Sequence, residues 1–332
     1  MKKLLLIFGF IPAVSFGQLW NLVWSDEFSG SSLSNANWQY EIGTGTDGWG
    51  NFELQYYTAS PNNIFVDTGY LHIKALHQPY NGSDYTSSRI KTQGLYDVEY
   101  GKIEARMKLP SGKGIWSAFW MLGANITSIG WPACGEIDIM ERVNTELKVH
   151  GTYHYDNNGH AYEGDYKYVD PSDFHVYGVE WDESEMRWYV DGVEYFSKNI
   201  GPGSVSVEEF HHPFFILLNI AVGGNWPGSP DANTVFPATM LVDYVRVYKE
   251  TSLHLDETAI SGLVLSPNPA HNELLVNSET PIESYVIYSV DGNEIKRGTS
   301  AVVSLEQLPA GTYLIEVKTA DNQILREKFI HD

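Results

Sequence analysis

Short runs of aromatic and β-branched residues, each ended by a cluster of Gly, Pro, Asn or Asp, succeed one another from about residue 18 to residue 250. Such runs favour strands, and the residues between them favour turns. Strands are predicted in this way at residues 71–76, 98–109, 176–180 and 188–190. Asp191 and Gly192 then predict a two-residue hairpin with a type I′ turn. Because no long stretch shows helical periodicity, we expect an all-β fold with one curved sheet packed on another.

The composition changes after residue 250. Residues 251–261 are polar and lack tryptophan, which is typical of a linker. Strand-like runs then return at residues 274–276, 284–289, 312–317 and 325–330, separated by turns at Asp291-Gly292 and Ala310-Gly311. The sequence therefore predicts a second, small β-sandwich at residues 262–332.

The amino terminus has the features of an export signal. Two lysines precede an apolar run at residues 4–14, and Ser15 and Gly17 put small residues before the predicted cleavage site. We therefore expect a signal peptide at residues 1–17 and a mature chain that begins at Gln18. The apolar run is shorter than the ~20 residues of a transmembrane helix, so no membrane span is predicted. A buried N-terminal strand is the alternative.

Charge and cysteine content exclude several classes of protein. The chain has 21 Lys and Arg against 42 Asp and Glu, and its net charge of −21 opposes binding to nucleic acid and to anionic membranes. Cys134 is the single cysteine, which excludes an intramolecular disulfide and a zinc site with two or more thiolates. Ten tryptophans suit either a sugar-binding surface or a packed sheet core.

Three carboxylates interrupt the apolar octapeptide GEIDIMER. Glu136 and Asp138 are two residues apart and therefore share one face of a strand. Glu141 would point to the opposite face of a regular strand, and one extra residue, a β-bulge, would return it to the face of Glu136. One of Ile139 and Met140 would then join the buried face.

This arrangement suits acid–base chemistry on a glycosidic bond. A bulged step separates the Cα atoms of Glu136 and Glu141 by ~13 Å. Side chains that lean toward each other can bring the carboxyls to the ~5–5.5 Å of a retaining glycosidase. Asp138 can share a proton with Glu136, and like charges at this spacing push pKa values apart. A calcium site or a solvated acidic strand is the alternative, which the apolar residues between the acids disfavour.

GEIDIMER resembles the active-site strand of glycoside hydrolase family 16, whose bulged members have the pattern E-x-D-x-x-E. Further segments are similar to the family in the same order: LVWSDEFSG, GWGNFELQYYT, GIWSAFWMLG, HGTYHY, RWYVDGVEYF, LNIAVGGNWPG and VDYVRVY. Within the family the chain is most similar to the laminarinases, which are endo-β-1,3-glucanases. The resemblance implies a concanavalin-like β-jelly-roll sandwich with an open concave cleft at residues 18–250. It also implies Glu136 as the nucleophile, Asp138 as its helper and Glu141 as the acid/base of a retaining reaction.

The resemblance further implies a set of sugar-binding residues: Asn51, Glu53, Arg89, Trp116, Trp120, Trp131, His154, Asn225 and Trp226. Core packing is the alternative for the tryptophans and for His154, and an exposed ion pair is the alternative for Arg89. Phe52 stands where the family commonly has Asn, and we expect it to face away from the cleft. A metal site formed by His150 and His154 is disfavoured because no third ligand is placed nearby.

Family members often carry a structural Ca²⁺ away from the cleft. The matching positions are Glu27, the backbone carbonyl of Gly69, and Asp243, whose oxygens suit this ion. No cofactor is expected for catalysis.

The C-terminal region at residues 262–332 contains LVLSPNPAHNELLV, IYSVDGNEI and LPAGTYLIEV. These segments are similar to the C-terminal sorting domain of the type IX secretion system. The resemblance implies interaction with that machinery, export through the periplasm and outer membrane, and a secreted or cell-surface location. A small carbohydrate-binding module is the alternative, which is disfavoured because no tryptophan follows Trp226.

Together these features predict a secreted, monomeric, retaining endo-β-1,3-glucanase that hydrolyses laminarin-type β-glucans. The same mechanism on mixed-linkage β-1,3-1,4-glucan or on a marine galactan is one alternative. The bulged spacing disfavours the first of these polymers, and the acidic charge disfavours sulfated galactans. A non-catalytic β-glucan-binding protein is the alternative of another class; it predicts loss of a catalytic Glu, whereas all three carboxylates are present.

Overall fold

The computed structural model describes residues 20–204, 207–250, 262–278, 280–289 and 293–332. The chain forms two compact units, of which the larger is Leu19–Glu250 and the smaller includes the described residues from 262 onward. The predicted signal peptide at residues 1–17, the predicted linker at residues 251–261 and the predicted Asp291-Gly292 turn lie outside the described residues.

The larger unit consists mainly of strands. In chain order these are β1 (Trp20–Asp26), β2 (Gln39–Glu41), β3 (Gln55–Tyr57), β4 (Ile64–Asp67), β5 (Tyr70–Tyr80), β6 (Ser83–Ser87), β7 (Arg89–Lys91), β8 (Gly101–Lys108), β9 (Ile115–Gly123), β10 (Glu136–Val143), β11 (Lys148–Asp156), β12 (His160–Tyr168), β13 (His175–Trp181), β14 (Glu185–Val190), β15 (Val193–Asn199), β16 (Phe214–Val222) and β17 (Ala238–Glu250). Short helical segments occur at Gly48–Phe52, Ile126–Ile129 and Glu208–Phe210. Among the described residues, none of the helices has the length and apolar character needed to cross a membrane.

These strands form two sheets that enclose one hydrophobic core. A ten-stranded sheet has the order β15-β14-β13-β8-β17-β5-β6-β3, with β1 beside β17 and β4 beside β5. A seven-stranded sheet has the order β12-β11-β10-β9-β16-β7-β2. Ile137 of the seven-stranded sheet and Trp188 of the ten-stranded sheet belong to the same buried cluster. Because side chains alternate along a strand, the seven-stranded sheet has a second, outer face that is available for a binding site.

The predicted strands of this unit are confirmed. The runs at residues 71–76, 176–180 and 188–190 lie in β5, β13 and β14. The run that starts at residue 98 becomes a strand only at Gly101, because the backbone bends at Glu99 and Tyr100, where Tyr100 has a positive φ of 59°. Asp191 and Gly192 both have positive φ, 50° and 73°, and Val190 pairs with Val193, as a type I′ hairpin requires.

The smaller unit is also built from strands. They are β18 (Leu263–Ser266), β19 (Glu273–Ser278), β20 (Ile282–Ser289), β21 (Glu294–Gly298), β22 (Val302–Ser304), β23 (Gly311–Thr319) and β24 (Ile324–His331). They form a three-stranded sheet, β18-β19-β22, and a four-stranded sheet, β21-β20-β23-β24. Leu274 and Ile287, one from each sheet, lie in a core that is separate from that of the larger unit. The prediction of an all-β chain with a small second β domain is therefore confirmed.

Candidate active site

The strand β10 carries the predicted bulge. Toward β9, Asp138 pairs with Trp120 and Met140 pairs with Phe119, so two steps on β10 match one step on its neighbour. The extra residue returns Glu141 to the face that holds Asp138. Ile139 and Met140 are both buried in the main core. The expectation that only one of them would join the buried face is thus wrong, because a bulge turns two consecutive side chains to the same side.

A cavity of about 740 Å³ lies over the outer face of the seven-stranded sheet. Eleven of the twelve predicted catalytic and sugar-binding residues line it: Asn51, Glu53, Arg89, Trp116, Trp120, Trp131, Glu136, Asp138, Glu141, His154 and Trp226. Asn225 is not among the lining residues, although its backbone N–H donates to the carbonyl oxygen of Asn51 at 2.8 Å. Phe52 is 64% exposed and is also absent from the lining, in agreement with its predicted orientation.

Each of the two glutamates accepts a hydrogen bond from one tryptophan. The indole Nε1 of Trp131 donates to Glu136 Oε2 at 2.9 Å, and Nε1 of Trp116 donates to Glu141 Oε1 at 2.9 Å. These bonds orient the two carboxyls within the cleft. They also favour the ionised form of each group, because a donor stabilises a carboxylate more than a neutral acid.

His154 lies beside Asp138 and contacts a second histidine. His154 Nε2 lies 3.0 Å from Asp138 Oδ2 and 3.8 Å from Glu136 Oε1. The Nδ1 atom of His154 lies 2.8 Å from Nε2 of His160. One of these two imidazoles donates this hydrogen bond and the other accepts it. Oδ2 of Asp138 itself accepts no hydrogen bond from the described residues and is held near His154 by charge alone. Glu136, Asp138 and His154 offer ligand atoms within 4.8 Å of one another, a grouping that could also hold a metal ion.

Burial controls the protonation of the three carboxyls. Loss of water contacts, followed by the negative charge of Asp138, raises the pKa of Glu136 from 4.5 to about 7. Burial raises the pKa of Asp138 to about 8. Burial, followed by the negative charge of Asp138, also raises the pKa of Glu141 well above its ordinary value. Burial and mutual repulsion therefore keep protons on this cluster up to a higher pH than in the unfolded chain.

The other end of the cleft is built around Arg89. Its Nε pairs with Glu41 at 2.6 Å, and its guanidinium lies 4.7 Å from the ring centroids of both Trp49 and Trp120. Arg89 is 8% exposed, so the exposed ion pair that was its alternative interpretation does not apply. Glu53 accepts hydrogen bonds from Gln55 and Tyr57, and burial raises its pKa.

Several cleft residues were not predicted from the sequence: Trp49, His150, Thr152, His160, Tyr162, Tyr166 and Asn219. Most of them lie on β11 and its neighbour β12, where alternate residues face the cleft. The strand register aligns them in rows. One row runs from Glu136 through His154 to Tyr162, and another from Glu141 through His150 to Tyr166.

Thr152 and Gly164 form the row between these two, opposite Asp138. A Cβ atom added to Gly164 would lie 2.5 Å from the carbonyl oxygen of Gly151. This row therefore has only small side chains, and it leads from the carboxyls to the β12 edge between Tyr162 and Tyr166.

The sequence profile of glycosyl hydrolases family 16 matches residues 51–246, which include the bulged strand and most of the cleft. The chain belongs to this family. The catalytic domain of the laminarinase from Thermotoga maritima has a solved structure that is 46% identical, with a TM-score of 0.63 over 70% of this chain and 98% of that one. The β-glucanase of Rhodothermus marinus is 44% identical over 247 residues, 69% of this chain and 85% of the relative.

The clotting factor G alpha subunit of Tachypleus tridentatus is 43% identical over 263 residues, 78% of this chain. The chain spans 38% of the length of this relative. Hydrolases of family 16 need no catalytic cofactor.

Residues 265–331 match the profile of a secretion system C-terminal sorting domain. Such a domain indicates type IX secretion, so the protein is secreted or displayed at the cell surface. The interpretation of this region as a sorting domain is thereby confirmed.

The residues predicted to bind calcium make other contacts. Glu27 forms a two-pronged ion pair with Arg246, at 2.9 Å and 2.8 Å, and Asp243 pairs with Arg106. Both carboxylates would have to leave an arginine before they could bind a cation.

Proposed function

We propose that the protein is a secreted, retaining endo-β-1,3-glucanase that hydrolyses laminarin-type β-glucans. The observation that carries this proposal is the bulge of β10, which puts Glu136 and Glu141 on one face of the cleft. Similarity to a laminarinase and to a β-glucanase at 44–46% identity supports the substrate.

In the proposed mechanism Glu136 attacks the anomeric carbon while Glu141 protonates the glycosidic oxygen. Glu141 then removes a proton from water, which attacks the glycosyl-enzyme and releases the sugar with net retention. The pKa of about 7 for Glu136 and the strongly raised pKa of Glu141 support this division of roles. Asp138 and His154 lie beside the nucleophile, where they are proposed to orient its carboxyl.

The sugar chain is proposed to contact the aromatic rims of the cleft. Trp131 and Trp226 are 47% and 43% exposed, which leaves ring surface free for stacking on glucose. Trp226 is supported from below by Trp116, at 5.6 Å between ring centroids. Arg89, Asn51 and the other polar residues around them would hydrogen-bond hydroxyl groups.

Several further expectations belong to this proposal. We propose that residues 18–250 form the catalytic domain, between a signal peptide at 1–17 and a linker at 251–261, and that residues 262–332 form the sorting domain. The protein is proposed to act as a monomer without a membrane span. A structural Ca²⁺ at Glu27, Gly69 and Asp243 stays a prediction, which calcium-dependent thermal stability would test.

Product analysis on laminarin, mixed-linkage glucan and agarose tests the proposal. Short β-1,3 oligomers should appear from laminarin, and Glu136→Gln should abolish them. Glu183→Gln, an exposed glutamate between β13 and β14, is the matched control and should keep full activity. Cleavage of another polymer alone would overturn the substrate. Failure on every polymer, with retained binding of laminarin, would favour the non-catalytic binding protein.

A further inference from the structure

A tryptophan of the ten-stranded sheet contacts the catalytic strand through the core. Trp188 lies on β14 and is fully buried. Its indole Nε1 donates to the backbone carbonyl oxygen of Asp138 on β10, at 2.9 Å. Asp138 is the residue at which the register of β10 shifts against both of its neighbours. The hydrogen bond therefore joins the two sheets at the bulge.

The direction of this bond links it to the bulge. In a regular strand the carbonyl groups point sideways, toward the neighbouring strands of the same sheet. A carbonyl that accepts a donor from the facing sheet is turned out of that plane, which is what the local bend of a bulge does. The bond is thus compatible with the bulged form of β10, and loss of the bulge would leave a buried N–H without its acceptor.

The indole is packed closely on two sides. A Cβ atom at Gly151, the residue before the partner of Asp138 on β11, would lie 2.5 Å from Cδ1 of Trp188. On its own sheet the indole packs on Phe196, at 4.8 Å between ring centroids. Gly151 and Phe196 therefore fix the place of the donor.

We propose that Trp188 is a positioning residue that holds the bulge of β10 and thereby keeps Glu141 on the cleft face. This inference rests on the proposed function, because Glu141 is there the acid that protonates the leaving group. A one-residue change of register moves a side chain to the other face of a sheet. Weakening the bulge should therefore impair the acid step more than the attack of Glu136.

Trp181 provides a matched control. It lies on β13 of the same sheet, is 1% exposed, and donates its indole N–H to the carbonyl oxygen of Phe210 at 3.0 Å. Phe210 belongs to the short helical segment Glu208–Phe210, outside the catalytic strand. Trp188→Phe and Trp181→Phe thus remove the same group from the same kind of environment.

The experiment compares the two variants on two substrates. On laminarin, Trp188→Phe should lower kcat at least tenfold with KM within twofold, whereas Trp181→Phe should leave kcat within twofold. On a dinitrophenyl β-glucoside oligomer, whose leaving group departs without protonation, the loss in kcat/KM for Trp188→Phe should shrink to threefold or less, because kcat/KM reports the attack of Glu136 and not the later step in which Glu141 activates water. Equal effects of the two variants, or equal losses on the two substrates, would overturn the proposal.

Hydrogen exchange gives a readout that does not depend on activity. Backbone amides of residues 138–141 should exchange at least tenfold faster in Trp188→Phe, and not in Trp181→Phe. If Trp188→Phe does not fold, 3-benzothienylalanine at position 188 keeps the bicyclic shape and removes only the N–H. Rapid hydrogen exchange of these amides in the wild type would contradict the inference. Inactivity of the wild type on every glucan would overturn only the proposed function.

Discussion

At the scale of single residues, the cleft combines two buried carboxyls, Asp138 and Glu141, and a half-buried one, Glu136, with one indole donor for each glutamate. Trp131 bonds Glu136 and Trp116 bonds Glu141, so the two donors act on the two groups separately. In the proposed mechanism Glu136 must be ionised and Glu141 must be protonated. The acidic limb of kcat/KM should therefore report Glu136 and the alkaline limb should report Glu141.

We expect the acidic limb near pH 7, well above the usual range of a glutamate, because burial raises the pKa of Glu136 to about 7. Trp131→Phe removes a donor to that carboxylate and should move this limb upward by ~0.5–1 pH unit. Trp116→Phe should instead move the alkaline limb upward. The measurement is kcat/KM on laminarin from pH 4 to pH 10. Movement of the same limb in both variants would contradict the assignment of roles.

The raised pKa also predicts how stability depends on pH. Between pH 4.5 and about pH 7 the folded protein holds a proton on Glu136 that the unfolded chain releases, so the free energy of unfolding falls as the pH rises through this window. Glu136→Gln removes the contribution of Glu136 to this dependence, whereas the contributions of Asp138 and Glu141 remain. The variant should be more stable than the wild type by about 1–3 kcal/mol at pH 8, and equally stable at pH 4.5. Urea unfolding at both pH values checks this, with Glu183→Gln as the control that should show no difference.

At the scale of the element, the sequence predicts β10 better than it predicts the edge of its sheet. Glu136, Asp138 and Glu141 can share one face of a strand only if the strand has a bulge, so their spacing alone predicts the bulge of β10. The edge strand β12 is exposed along most of its length, and hydrophobic patterning therefore gives no signal for it. One signal could have revealed that β12 lines the cleft. Aromatic residues recur on it at every second or fourth position: His160, Tyr162, Tyr166 and Tyr168. The first three of these line the cleft.

Tyr162 and Tyr166 flank the row of small residues that leads from the carboxyls to the sheet edge. They are 66% and 43% exposed, so each can stack on a sugar of a chain that leaves the cleft here. Loss of one such contact costs about 1 kcal/mol, or roughly fivefold. Tyr166→Ala should therefore lower kcat/KM about fivefold on laminarin and leave it unchanged on the shortest oligosaccharide cleaved. Tyr80→Ala, an exposed tyrosine on β5 outside the cleft, should change neither value.

At the scale of the whole molecule, the change of composition near residue 250 predicts two units, and each unit has its own hydrophobic core. All the residues that line the cleft lie between Trp49 and Trp226, within the larger unit. The core of the smaller unit includes Leu274, Ile287 and Phe329. Catalysis and export should therefore be separable by substitution or truncation.

A chain that ends at Glu250 should keep kcat/KM on laminarin within twofold of the full chain, because no residue of the cleft or of the larger core is removed. The same truncation should abolish export, since it removes the whole sorting domain at residues 265–331.

Phe329→Ala in the full chain is a milder test of the same separation of catalysis from export. It removes a fully buried ring from the smaller core, at a cost of about 3–5 kcal/mol. Export should fall while the activity of the purified protein is unchanged, and a parallel loss of activity would show that the larger unit depends on the smaller one.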